Sequence, residues 1–429
     1  MLTRLDLRGR TGPLDLPRPR AATDPPLAAV QSIIAAVRAR GDDALRELSE
    51  RFDRLEQPLG ELRVAPVELR AALDGLAPLL REALETAKAN ILAYHREQLV
   101  PDRRLERDGV VVRELARPVG RAGIYVPGGQ APLMSTVLMT AIPARVAGVP
   151  EVVVCSPPDP HGRVAPEILA AAALAEVDEV YRVGGAQAIA AMAYGTESIR
   201  PVDVIVGPGN VYVSVAKREV AADGAVGVPS AFAGPSEVVV VADETTPVEY
   251  AAIDLMVQVE HGPDSVAWLV TWFEEVADRI VDAVAKLTAA APRRDVITAN
   301  LEANSYVALV DGPEQAMEVA NAIAPEHLEL MTADPDALLP LVRHAGAVFC
   351  GAYAPASVGD YVAGPSHVLP TYGSARFAGA LRVDDFLKHI HVVSLDEATL
   401  ARLAPHVAAM AEAEGLATHA ESVRIRGSR

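Results

Sequence analysis

The run Glu151-Val152-Val153-Val154-Cys155, an Ala-rich stretch at 165–176, the run Glu179-Val180-Tyr181-Arg182-Val183 and a second Ala-rich stretch at 186–194 decide the fold class. Short runs of β-branched and apolar residues read as buried strands, and the Ala-rich stretches between them read as helices. The alternation continues through Val202–Val206, a helix over 210–222, Glu237–Val241 and Val266–Thr271, with a further helix at 135–147. Strands that alternate with helices predict a mostly parallel sheet covered on both faces. A second block repeats the pattern: Tyr306–Val310, a helix at 313–323, His327–Met331, a helix at 335–344, and Gly346–Cys350.

Outward from these blocks the pattern changes. Residues 1–24 are rich in Arg, Pro and Asp and read as an N-terminal arm. Pro25-Pro26 leads a helix that ends near Gly41, and Asp42 or Asp43 caps the next. Residues 66–98 carry helical spacing, and Leu105–Tyr125 reads as strands with a hairpin turn at Asp108-Gly109. The tail from about 380 reads as mainly helical.

At 429 residues, half of them apolar, the chain is long enough for two or more domains. No apolar run has the length of a membrane span, and Met1–Arg10 lacks the apolar core of a signal peptide. A soluble cytoplasmic protein with no membrane partner is expected. The formal net charge of −18 argues against nucleic acid as a partner. It leaves room for an anionic dinucleotide, which needs only local N–H donors and helix N-termini. Cys155 and Cys350 each end an apolar run and read as buried free thiols, too few for a disulfide framework.

Several motifs place ionisable groups beside helix breakers. Gln258 and His261 precede Gly262-Pro263 at the end of a helical run, so they share one face of its last turn. An amide oxygen and an imidazole there make half of an N/O metal site; a capping His beside a solvated Gln is the plainer alternative. Pro325-Glu326-His327, Gly359-Asp360, Gly364-Pro365-Ser366-His367 and Glu414-Gly415-Leu416-Ala417-Thr418-His419 are of the same kind. In a plain strand Glu326 and His327 would point to opposite faces, so the backbone must turn there for both to act. Glycine turns fall between strands and helices at Pro127-Gly128-Gly129, Gly184-Gly185-Ala186-Gln187 and Gly207-Pro208-Gly209-Asn210, where open α/β sheets bind ligands. No Gly-x-Gly-x-x-Gly fingerprint follows a strand.

These motifs, in this order and with Tyr125-Val126-Pro127-Gly128-Gly129 and Ala233-Gly234-Pro235-Ser236-Glu237, resemble the histidinol dehydrogenase family from about residue 25 onward. The resemblance implies two interlaced, incomplete Rossmann-type domains with parallel sheets, an N-terminal arm and a C-terminal helical domain. By analogy, 25–118 and 238–379 form the substrate and metal domain, 119–237 the NAD-binding domain, and 380–429 the dimerisation segment. It implies one Zn²⁺ per subunit on Gln258, His261, Asp360 and His419. Ser236, His327, His367 and Glu414 join those ligands as substrate contacts, and Tyr125, Gln187 and Asn210 contact NAD. The implied reaction is the four-electron oxidation of L-histidinol to L-histidine by two NAD⁺. His327 is assigned as base for the alcohol and hydrate hydroxyls, and Glu326 as the group that activates water. The family forms homodimers with shared active sites, so Glu414 and His419 are expected in trans.

Some positions depart from the family. Pro132-Leu133-Met134-Ser135 and Pro229-Ser230-Ala231 differ from the usual residues near the cofactor, and Ser366 stands where Asn is usual. Two other readings use the same residues: a zinc and NAD dehydrogenase of another polar alcohol such as a sulfonated diol, and a metal-dependent hydrolase. A non-enzymic zinc scaffold is a third.

Overall fold

The computed structural model describes residues 2–17, 25–128, 132–229, 234, 236–260 and 264–427. Its larger sheet has six parallel strands in the order β1 (Thr3–Asp6), β10 (Ser305–Leu309), β9 (Val266–Thr271), β8 (Glu237–Ala242), β11 (His327–Met331) and β12 (Ala347–Cys350). Every residue of β8, β9 and β11 is buried, which is why these runs are apolar almost throughout rather than alternating. Helices α9 (Val248–Val259), α10 (Glu274–Ala290) and α11 (Arg294–Asn304) cover one face, and α12 (Pro313–Ile323) covers the other.

The smaller sheet is also parallel, in the order β6 (Glu179–Arg182), β5 (Glu151–Ser156), β4 (Arg121–Tyr125), β7 (Val204–Val206). Alternation along β5 sends Val152 and Val154 into one core and Val153 and Cys155 into the other. The first core is closed by α3 (Pro66–Asp74), α4 (Pro78–Arg96), α5 (Met134–Val146) and α6 (Pro166–Leu174). The second is closed by α1 (Leu27–Arg40), α2 (Asp42–Phe52), α7 (Gly185–Tyr194) and α8 (Val211–Ala222). A third, antiparallel sheet joins β13 (Leu387–Ser394), β3 (Val110–Pro118) and β2 (Arg103–Arg107). The short helix α13 (Ala356–Tyr361) and the pair α14 (Glu397–Ala413) and α15 (Ala417–Gly427) complete the chain.

The two parallel sheets and the strand–helix alternation agree with the expected α/β class. Asp108 and Gly109 both have positive φ, 51° and 81°, as a two-residue hairpin turn requires. Other details differ. The arm supplies an edge strand, because the larger sheet leaves β10 unpaired on one side and Thr3–Asp6 fills it; the smaller sheet therefore lies, in sequence, between two parts of the larger one. The helices of 27–96 pack on the smaller sheet, not on the 238–379 block with which they were grouped, because their apolar faces complete its two cores. The helical stretch 66–98 breaks at Gly75–Ala77, ahead of Pro78, where a residue before proline avoids the helical region. The helix expected at 335–344 is one 3₁₀ turn at Leu339–Leu341, since Pro340 cannot donate. The tail begins with a strand because Lys-His-Ile-His-Val-Val finds the free edge of β3. Cys350 is half-buried rather than buried.

Leu269 lies at the centre of β9, fully buried. Leu269→Ala is expected to lower stability by about 2–5 kcal/mol, read as a shift in the urea midpoint.

Candidate active site

The smaller sheet reverses its strand order between β4 and β7, which opens a crevice at the C-terminal ends of those strands. The turn after β7 crosses this crevice at close range. Gly207 has φ +105°, and a Cβ there would lie 2.2 Å from the Tyr125 carbonyl oxygen. Only glycine serves both demands. Asn210 ends the turn and caps α8, its Oδ1 accepting from Val213 N at 3.1 Å. Beneath the turn, the buried Lys217 ammonium donates to the Gly207 carbonyl, and burial pulls its pKa down to about 7. The Tyr125 hydroxyl accepts from Gly185 N at 3.1 Å, and burial pushes its pKa up to about 12. Gln187, on α7, is 1% exposed, and neither amide atom has a hydrogen-bond partner among the described residues.

Across from this turn, the larger sheet presents the ionisable groups. α12 ends in a left-handed Ala324 (φ 54°), and Pro325 follows. That bend supplies the turn Glu326 and His327 need. Glu326 Oε2 accepts from Glu237 N at 3.1 Å, and His327 Nδ1 lies 3.1 Å from the Glu237 carbonyl, to which it donates. The two side chains approach to 3.5 Å, and His327 Nε2 lies 3.4 Å from Asp360 Oδ1. Burial raises the Glu326 pKa to about 7 against the pull of His327. Burial alone would lower His327, but the charges of Glu326 and Asp360 carry it up to about 9. His367 Nδ1 donates to the Asp360 carbonyl at 2.8 Å, and its Nε2 is 3.2 Å from Thr136 Oγ1; burial holds its pKa low.

One cleft of about 450 Å³ joins the two sheets. Its walls include Gly207, Pro208 and Gly209 from the smaller sheet, and Ser236, Gln258, Glu326, His327, Asp360 and His367 from the larger-sheet side. Gln258 is 1% exposed, and its Nε2 has no partner among the described residues. A buried amide turned to a carboxylate-lined cleft suits a divalent cation. The expected ligand set converges only in part. His261 lies outside the described residues, as do Gly129, Ala233 and Pro235 of the expected turns. Glu414 and His419 are exposed on α14–α15 and do not line the cleft of their own chain. Among the described residues no group of three or more His, Cys, Asp or Glu is placed to hold a metal. Gly415 does break the helix between Glu414 and His419, with φ 75°.

A model of the histidinol dehydrogenase family matches residues 16–427. The chain belongs to the histidinol dehydrogenase family. Histidinol dehydrogenases of Parasynechococcus marenigrum and Vibrio vulnificus are each 47% identical to it, over 92% and 93% of this chain and 90% and 91% of theirs. The solved histidinol dehydrogenase of Elizabethkingia anophelis is similar with a TM-score of 0.93 at 34% identity, covering 99% of this chain and 98% of that one. The chain is thus an enzyme, an oxidoreductase of histidine biosynthesis, and the expected resemblance and fold class hold. The hydrolase and scaffold readings fall with that result. No described helix is long and apolar enough to cross a membrane.

Thr136, Lys217 and Asp53 are absent from the residues singled out in the sequence. Lys217 alone carried a signal, as a lone lysine in an apolar helix face. Asp53 ends α2, and its charge acts on the Tyr125 hydroxyl. Burial raises its pKa to about 6. The folded state thus holds the proton more tightly than the unfolded chain. Stability from this group is present below pH 3.8 and is lost as pH rises through about 6. Asp53→Asn is expected to stabilise the protein by roughly 1–2 kcal/mol at pH 7.5 and not at pH 4, measured by denaturant unfolding at both.

Proposed function

We propose that the chain oxidises L-histidinol to L-histidine through L-histidinaldehyde, using one zinc ion and NAD at the cleft between its two sheets. The observation that carries this is the convergence of His327, Glu326, Gln258 and Asp360 on the same cleft as the Gly207–Gly209 turn. Gln258 and Asp360 would hold the metal from this chain, with His261; His419 of a second subunit would complete the set. Tyr125, Gln187 and Asn210 would border the dinucleotide, making 119–237 the NAD-binding unit. When bound, zinc orients the amino alcohol and NAD⁺ accepts hydride.

The chain's residues do the rest. His327 Nε2 faces the cleft beside Asp360 and, once the ring is in its neutral form, takes the proton of the substrate hydroxyl as hydride leaves. Its Nδ1–H stays on the Glu237 carbonyl, which fixes the ring and its tautomer. Glu326 then draws a proton from water as the water adds to the aldehyde; His327, having passed its first proton to solvent, takes the proton of the hydrate for the second oxidation. Ser236 and His367 line the substrate end, and Glu414 of the second subunit pairs with the substrate ammonium.

Two equivalents of NADH per histidinol are expected. Chelation should abolish the signal and zinc should restore it; a yield of one equivalent would contradict the four-electron reading. His327→Asn should lower kcat by about 10²–10⁴.

Sharing across the dimer has its own test. In a hybrid of Glu326→Gln and His419→Ala subunits, one of two sites is intact if the tail acts in trans, and neither is if it acts in cis. Co-refolded mixtures of the two inactive variants should therefore recover about a quarter of wild-type turnover. No recovery in proven hybrids would place the tail in cis.

A further inference from the structure

Two buried acids behind the cleft have no part in the chemistry above. Glu329 follows His327 by two residues in β11, so the two side chains leave the same face of the strand. It is 2% exposed, and its Oε1 accepts from Ala356 N at 2.9 Å. Ala356 opens α13, whose preceding Pro355 offers no side-chain cap. Asp360 sits one turn further along that helix. A carboxylate from the strand that bears His327 therefore caps the helix that bears Asp360.

The second acid ties in the third element. Asp254 is 8% exposed on α9, four residues ahead of Gln258 and on the same helix face. Its carboxyl group interacts with that of Glu329, whose Oε2 has no hydrogen-bond partner among the described residues. Two carboxyl groups in such contact share one proton, and burial raises the pKa of each. The end of α9 is held again one residue past Gln258, where Asn300 Nδ2 donates to the Val259 carbonyl at 2.7 Å.

We infer that Asp254 and Glu329 form a positioning clamp, which sets Gln258 and Asp360 against His327 by joining α9, α13 and β11 at one buried point. This rests on the proposed reading of the cleft as the metal and substrate site. Stability does not account for the pair. Two acids withdrawn from water cost free energy that apolar residues of similar volume would not, so their replacement by such residues is often neutral or stabilising. What apolar residues cannot supply is a directed acceptor for Ala356 N and a directed link from β11 to α9. Asp254 and Glu329 are not among the residues lining the cleft, so they act through the groups they hold.

The test separates positioning from packing in the full-length, zinc-loaded enzyme. Glu329→Gln keeps an oxygen for Ala356 N and an N–H for Asp254, and it should stay within about threefold of wild type in kcat, KM and zinc retention. The double variant Asp254→Leu/Glu329→Leu should melt near the wild-type temperature yet lose zinc to a chromophoric chelator about 10–100-fold more readily, with KM for histidinol raised. Wild-type zinc retention and KM in a folded double variant would overturn the clamp. So would a Glu329→Gln variant as impaired as the double one. Should the double variant not fold, Glu329→Met against Glu329→Gln makes the same comparison. Gln258→Ala and Asp360→Ala serve as controls. If neither releases zinc, the cleft is not the metal site. If both do while the Asp254 and Glu329 variants do not, only the clamp fails.

Discussion

The backbone of one residue, Glu237, holds both groups proposed to carry the chemistry. Its N–H donates to Glu326 and its carbonyl accepts from His327. That arrangement exists because β8 and β11 pair in parallel, with His327 opposite Val238. The pairing has little freedom to slip. Both strands are buried on both faces, and a shift by one residue would exchange every side chain between the two cores. The ring of His327 is thereby fixed with Nδ1 on a carbonyl and Nε2 directed at Asp360. A proton acceptor fixed by backbone needs no reorganisation as it acts.

The cleft exists because two sheets, built from separate parts of the chain, meet with their functional edges facing. The smaller sheet brings a glycine turn that allows close approach; the larger brings the ionisable groups. This division suits an oxidoreductase, where a cofactor and a substrate must lie in contact yet be held by different surfaces. The acids of the larger sheet gather round a single imidazole pair, His327 and His367, whose pKa values burial and charge drive in opposite directions. His367 is kept neutral and His327 is kept basic, so two residues of one type take different roles.

The α14–α15 pair has a different character. Its small core of Ala408, Ala411 and Ala420 holds the two helices to each other. Met410 and Ile425 remain 68% and 61% exposed. The second subunit of the proposed dimer would pack on apolar surface of this kind.

Much of this was legible in one dimension. Strand–helix alternation determined the α/β class, because apolar runs and Ala-rich stretches differ in period and in how they bury. The motif around Gln258, the Glu326-His327 pair and Asp360 were each marked by a helix breaker beside an ionisable group, and the structure brings these residues to one cleft. The hairpin at Asp108-Gly109 was fixed by local turn chemistry. Other features were decided only by tertiary structure. Which sheet the helices of 27–96 would cover, that Thr3–Asp6 would become an edge strand, and that 387–394 would be a strand all depend on an unfilled surface elsewhere in the chain. Asp254, Glu329 and Asp53 gave no sign of their burial. Local sequence sets what each segment prefers, but the environment of a charge is set by what packs over it, and that comes from residues far along the chain.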